Sequence, residues 1–365
     1  MKKITVIVAG LGYRTLEKNG MLEMAGLKFS AAESVFPALT CVQQASLRTG
    51  LEPERHGMLF NGVWMDGLRR PSFWEQSASF VKGQRIWKGS TGLFFLQQSL
   101  GEKVDLIASP APIHKHGGGM IMSVYTKPTE LADVLRRLCG TFPLWRYWGP
   151  LAHAKVGRKC ISYFEQMTGI LDVDEAYLYL PTLDYAFQRH GPDSGSAKAA
   201  LKELRRQLEK LSSIAMRRGC ELKVVGDYEI SAVSRPASHP NVILRRNDFF
   251  RTRTVSSMAY PDFYESTAFA VCDHEVALVF GEERERATEL LLSTGEYEMV
   301  DGYLVAKEGG WCSYEWWTNP REAPDYASHV DIHSKPAFDP KELFFFCKGN
   351  VGGTHGRRCA VAISE

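Results

Sequence analysis

Met1-Lys2-Lys3-Ile4-Thr5-Val6-Ile7-Val8-Ala9-Gly10 opens the chain with an apolar, β-branched run that stops at a glycine. A strand wet on one face alternates apolar and polar residues, so a continuous run reads as a central parallel strand covered on both faces. Glu175 to Leu180, running into Pro181, and Glu221 to Val225, running into Gly226-Asp227, read as further strands. Between them, Ala197 to Arg218 sets Leu201, Leu204, Leu208, Leu211 and Ile214 at helical spacing with charge on the other face. Thr129 to Leu138 and Ala152 to Met167 read as helices, and Ala360 to Ile363 as a last strand. This alternation predicts an α/β fold, a doubly wound sheet with helices on both faces. Over about 241–330 the texture changes. Thr267 to Cys272 and Val276 to Phe280 are strand-like, Glu283 to Ser293 is helical, and Trp311 to Trp317 is an aromatic strand candidate. We read this region as a small α+β insertion within a single domain spanning 1–365.

A chain of 365 residues, 44% of them apolar, can bury a core without staples. Lys plus Arg number 44 and Asp plus Glu 42, so the net charge is 44 − 42 = +2. Such a balance gives no global pull toward nucleic acid or an anionic membrane, and any anion recognition must be local. The Cys count of 8 includes no CxxC pair, which predicts reduced thiols. The first apolar run is short, is followed by Arg14 and lacks a small-residue cleavage site, so it reads as a strand and not as a signal peptide. No run approaches the roughly 18 apolar residues of a membrane helix. The expected location is the cytoplasm. There is no internal repeat and no low-complexity segment.

Ligands of open α/β sheets gather where strand carboxyl ends meet the loops. Thr40 falls in the first turn of a helix predicted to begin after Pro37 and to stop at Gly50. The first amides of a helix lack internal partners and favour an anion, so a hydroxyl there is a candidate nucleophile facing phosphate. The competing reading makes Thr40 an ordinary helix cap. His114 and His116, in a Pro- and Gly-rich loop, read as a solvated loop or as metal or phosphate ligands. Trp64, Phe73, Trp74, Phe80 and Trp87 read as aromatics packed on the core.

Thr40, Thr49-Gly50, Pro53-Glu54-Arg55-His56-Gly57, Asn61, Asp184, Gly191-Pro192, Asp227 and His355-Gly356 follow one another in a specific order and spacing. In this the chain resembles the nucleotide pyrophosphatase/phosphodiesterase family of the alkaline phosphatase superfamily, over most of its length. The resemblance implies an alkaline-phosphatase-like fold, Thr40 as a nucleophile that forms a covalent phospho-intermediate, and Asn61 as a hydrogen-bond partner of a phosphoryl oxygen. It also implies two metal ions, usually zinc. One would be held at Asp184, Gln188 and His355, the other at the positions of Ala9, Asp227 and Tyr228. The chain departs from the family pattern at Ala9, Gln188 and Tyr228, where the family has ligating side chains. A glutamine carbonyl is a weaker zinc ligand than imidazole, and an oxygen-rich remnant leans toward magnesium, manganese or calcium. His190, Glu229, His333 and the Asp273-His274 pair are conceivable substitute ligands.

The function so implied is a metal-dependent hydrolase of phosphodiester or phosphomonoester bonds acting on a small phosphorylated substrate. The alternative is a non-catalytic protein that keeps the fold and binds a phosphate-type ligand or a protein partner. Transfer of the phosphoryl group to an acceptor other than water is a third reading. Substrate identity and oligomeric state are not legible in the sequence.

Overall fold

Lys3–Val8 lies inside a 9-stranded sheet whose order is Val124–Lys127, Leu106–Pro110, Thr91–Phe94, Glu175–Leu180, Lys3–Val8, Glu221–Gly226, Ala360–Ser364, Leu27–Glu33 and Glu23–Met24. The computed structural model describes residues 1–116, 120–149, 151–324 and 351–365. The segment from Leu106–Pro110 to Glu221–Gly226 is parallel throughout, and the outer strands on both sides join antiparallel. Residues Ile4 to Val8 are all buried. Successive side chains of a strand point to opposite faces, so burial of consecutive residues means that both faces are covered. The continuous apolar run thus has the position it predicts, and the α/β class is borne out.

Val8 pairs with Leu180 on one side and with Gly226 on the other. The three strands therefore end level, and the residues that follow them, Ala9, Pro181 and Asp227, emerge at one edge. The helix Gly195–Arg218 buries Leu201, Leu204, Leu208, Leu211 and Ile214. Helices Leu131–Cys139 and Val156–Ile170 begin and end a few residues from their predicted limits. The seven cysteines described are free thiols.

A second sheet stands apart in sequence. Phe269–Asp273, Val276–Phe280, Tyr303–Ala306 and Tyr297–Val300 form a 4-stranded antiparallel sheet, and the helix Arg284–Ser293 buries Ala287 and Leu291 in the same core. Trp311 to Trp317 is not a strand. It makes one isolated bridge, Cys312 with Ser238. Trp316 and Tyr314 are fully buried there, and the Trp316 indole donates to the Ala259 carbonyl at 2.9 Å. The aromatic content reflects side-chain burial without a ladder. Among the described residues, no helix is long and apolar enough to cross a membrane. His333, Gly349-Asn350, Gly117 to Gly119 and the side chain of His114 lie outside the described residues.

Candidate functional site

Thr40 is the first residue of the helix Thr40–Thr49; Leu39 is its cap, and no side chain caps the helix. The reading of Thr40 as a capping hydroxyl is therefore incorrect. Helix and hydroxyl are fixed from behind by Asn61, whose Oδ1 accepts the Cys41 amide at 2.9 Å. Asn61 is in turn held by Asp273, which accepts from its backbone amide at 2.7 Å and from its Nδ2 at 3.2 Å. His56 supports the same helix, its Nε2 lying 2.9 Å from Ser46 Oγ. The His56 Nδ1 accepts the Met58 amide at 3.1 Å, and burial lowers the ring's pKa to about 4.

In front of Thr40 opens a cavity of about 470 Å³, lined among others by Asp184, Gln188, Tyr228, His274 and His355. Asp184 opens the helix Asp184–His190 just beyond the strand Glu175–Leu180, and Gln188 follows one turn later on the same face. Gln188 Nε2 donates to Asp184 Oδ1 at 2.5 Å. The same oxygen accepts the Tyr228 hydroxyl at 2.9 Å, and the Thr40 hydroxyl donates to Tyr228 Oη at 3.4 Å. A continuous run of hydrogen bonds thus leads from Thr40 through Tyr228 to Asp184. Tyr179 also lies beside Thr40, and burial pushes the pKa of the Tyr179 and Tyr228 phenols well above their ordinary value.

His355 lies buried against Tyr228, the two rings stacked 3.7 Å apart and 4° from parallel. Its Nδ1 is 2.8 Å from the Ala38 carbonyl, so Nδ1 carries the proton and Nε2 is the basic nitrogen. His274 packs on the other side of His355 at 3.8 Å. Its backbone is in the left-handed region, φ 58°, a conformation that costs free energy in a non-glycine residue and that collects at functional sites. Asp227 sits behind the cavity. Its Oδ1 accepts the amides of Gly10 at 3.0 Å and Tyr228 at 2.9 Å, its Oδ2 is buried without a hydrogen-bond partner, and burial pushes its pKa well up.

The fold thus brings Thr40, Asp184, Gln188 and His355 to one cavity, while Asn61 and Asp227 lie fully buried next to it. Of the substitute ligands, Glu229 is taken by Thr15, whose amide and hydroxyl donate to its Oε1 at 2.9 and 3.0 Å, and His190 is exposed, as is His116 of the Pro- and Gly-rich loop. His274, from the Asp273-His274 pair, does reach the cavity. The hydrogen-bonding roles of Tyr228 and Tyr179 were not read from the sequence, because a tyrosine at a strand end looks like core.

Metal-ligand chemistry differs between the two positions. Asp184, the Gln188 amide and the His355 Nε2 are donors that suit one divalent ion, and the Nδ1 contact to a backbone carbonyl is the outer-shell arrangement typical of ligating histidines. Ala9 offers no donor, Tyr228 replaces an imidazole, and Asp227 is left as the sole carboxylate, so the residues at the second position do not fit an ion. Among the described residues, no group of three or more His, Cys, Asp or Glu side chains could hold a metal ion.

A profile of the type I phosphodiesterase / nucleotide pyrophosphatase family matches residues 4–309. No curated protein matches the chain by sequence. Among solved structures, murine ectonucleotide pyrophosphatase / phosphodiesterase 5 superposes with TM-score 0.57 at 15% identity, covering 100% of this chain and 88% of that one. An inactive variant of that murine protein, in complex with AMP, gives TM-score 0.55 at 15% identity, with 100% and 88% covered. Phosphonoacetate hydrolase from Sinorhizobium meliloti 1021, in complex with phosphonoacetate, gives TM-score 0.64 at 13% identity, with 100% and 89% covered. At these identities the likeness speaks for the fold.

Proposed function

The chain belongs to the type I phosphodiesterase / nucleotide pyrophosphatase family, and from that premise we propose that it hydrolyses phosphodiester or phosphomonoester bonds of a small phosphorylated substrate through Thr40. The single observation that carries the reading is the placement of the Thr40 hydroxyl at a helix N-terminus, facing the cavity and donating toward Tyr228 and, through it, Asp184. A helix N-terminus draws the phosphoryl group through the helix dipole and those first amides that, unlike the Cys41 amide held by Asn61, have no internal acceptor.

In this account Thr40 Oγ attacks phosphorus, and the bond from phosphorus to the leaving oxygen breaks with its electron pair going to the leaving group. The Thr40 proton passes to Tyr228 Oη as the phenol proton moves to Asp184 Oδ1. Water then attacks phosphorus and releases a proton to solvent, the bond from phosphorus to Thr40 Oγ breaks, and the proton on Asp184 returns through Tyr228 to Thr40 Oγ. Asn61 fixes the helix start, and the second proton of its amide is assigned to a phosphoryl oxygen. Asp184, Gln188 and His355 hold one divalent ion, zinc by family resemblance or magnesium or manganese by the oxygen content of the set. Such an ion supplies Lewis-acid stabilisation of the phosphoryl oxygens. Asp227 lies behind the site as a buried carboxyl. We also read residues 241–330 as an insertion within the single domain, delivering His274 to the cavity. AMP in the murine structure and phosphonoacetate in the bacterial one are the ligands of those proteins; a small phosphoester of similar kind is the class proposed here, with the cytoplasm as the location.

The test is turnover of aryl phosphodiesters and phosphomonoesters by the purified, metal-supplemented chain and by Thr40→Ala. Release of aryl alcohol by the wild type, lost in Thr40→Ala, supports the reading. Absence of turnover with retained binding of a nucleoside monophosphate would leave the non-catalytic alternative in its place.

A further inference from the structure

We propose that the Tyr228 side chain stands in the place of the second metal ion, so that this centre takes one ion at most. The inference rests on the family site positions used above, and it concerns ion number and not catalysis.

The Tyr228 phenol is fully buried. Its oxygen lies 3.4 Å from Thr40 Oγ1 and 2.9 Å from Asp184 Oδ1, within reach of both the nucleophile and a carboxylate of the first position. An ion on the Thr40 hydroxyl would need oxygen ligands at about 2.0–2.2 Å, and the phenol, which keeps its proton and donates it to Asp184, takes the contact to Thr40 that such an ion would make. A histidine at position 228 would be shorter and would leave that contact open. The stack of Tyr228 on His355 at 3.7 Å and the hydroxyl's bond to Asp184 Oδ1 at 2.9 Å fix the ring, so the side chain cannot swing aside without breaking both contacts.

The remaining donors agree. Ala9, at the strand end beside Asp227, has no ligand atom, and Asp227 Oδ1 is already shared by two amides. One observation points the other way: Asp227 Oδ2 is buried and without a hydrogen-bond partner. A single carboxylate, with one oxygen already shared by two amides, is a poor cation site. The phenol meanwhile keeps the orienting function that an ion would have had, because it accepts the Thr40 proton and fixes the direction of the nucleophile's lone pairs.

The experiment is elemental analysis of the chain after loading with zinc and, separately, manganese, followed by desalting. Wild type, Tyr228→Phe and the double variant Ala9→Asp/Tyr228→His are compared, each checked for folding by circular dichroism. The expected result is no more than one ion per chain in wild type and in Tyr228→Phe, and one ion more than wild type in the double variant. Two stoichiometric ions in wild type, or a folded double variant with no gain, would overturn the proposal. If the double variant does not fold, Tyr228→His alone is read against Tyr228→Phe, and the wild-type count still decides. A wild type with no ion and a double variant with one would support the replacement by Tyr228 while removing the ion assigned to Asp184, Gln188 and His355. The two readings thus fail separately.

Discussion

Tyr228 Oη donates to Asp184 Oδ1 at 2.9 Å, and this contact joins the end of the strand Glu221–Gly226 to the start of the helix Asp184–His190. In a buried setting a neutral hydrogen bond contributes about 1 kcal/mol, and one to a charged group about 1.5–3 kcal/mol. Tyr228→Phe keeps the ring stacked on His355 and deletes this link together with the acceptor of the Thr40 hydroxyl. We expect kcat to fall roughly 10²-fold or more, as for loss of a positioned proton-transfer group, with KM changed much less. Steady-state kinetics on an aryl phosphoester measure the split. A change confined to KM would assign Tyr228 to substrate binding instead.

Asn61→Ala removes the acceptor of the Cys41 amide and the Nδ2 bond to Asp273 Oδ1, while the backbone amide of residue 61 keeps its bond to Asp273 Oδ2. Leaving buried polar groups unpaired costs about 1–3 kcal/mol, so thermal unfolding should come several degrees earlier. Asn61→Asp should be worse, because it sets a second carboxylate against Asp273 in a fully buried position. Equal melting temperatures for wild type and Asn61→Asp would show that this network does not hold the helix.

Arg48 is almost fully buried in the helix Thr40–Thr49 and donates to the carbonyls of Gln97 at 2.5 Å and Gln98 at 2.7 Å, with Glu102 3.9 Å away. Burial lowers its pKa to about 10, so it still carries its charge at neutral pH. Arg48→Met fills the volume but leaves the Gln97 and Gln98 carbonyls without their guanidinium donors and removes a buried charge beside Glu102, which keeps Arg85 at 2.9 Å. Breaking such a buried charged network costs about 3–5 kcal/mol. A chemical-denaturation midpoint unchanged by Arg48→Met would contradict the role given to the guanidinium.

His56 gives the fold a pH dependence of definite sign. Its folded pKa is about 4, against an ordinary 6.5. Between those values the unfolded chain binds a proton that the folded chain refuses, so stability rises with pH across that window. The contribution is complete above about pH 6.5 and is lost as the pH falls through about 4. Protonating Nδ1 would also break its bond from the Met58 amide. Melting temperature against pH should therefore slope upward over this range, and His56→Gln should flatten it. A slope unchanged by His56→Gln would place the effect in other groups.

The sheet was legible where local sequence and environment coincide. Ile4 to Val8 is continuously apolar because both faces are covered, and Leu201 to Ile214 repeats at helical spacing because one face is. Trp311 to Trp317 misled because aromatic density signals burial, and burial does not require a ladder. The site was legible as far as its motifs reach: Thr40, Asp184, Gln188 and His355 meet at one cavity. What the sequence could not convey is how the changed positions are used. That Tyr228 bridges Thr40 and Asp184 depends on the reach of a phenol across a gap between distant strands, and residues 40, 184 and 228 carry no local sign of it. His274 was noticed only as half of an Asp-His pair; its strained turn and its packing on His355 exist only in three dimensions.

The central claim is that Thr40 forms a bond to phosphorus. Rapid quenching of the metal-supplemented chain with an excess of aryl phosphoester, followed by peptide mass analysis, tests it most directly. The account predicts a phosphoryl-type adduct on the peptide that carries Thr40, absent from Thr40→Ala, which should also lose roughly 10³-fold or more in turnover. Turnover by Thr40→Ala at the wild-type rate, or an adduct on another residue with Thr40 unmodified, would contradict it.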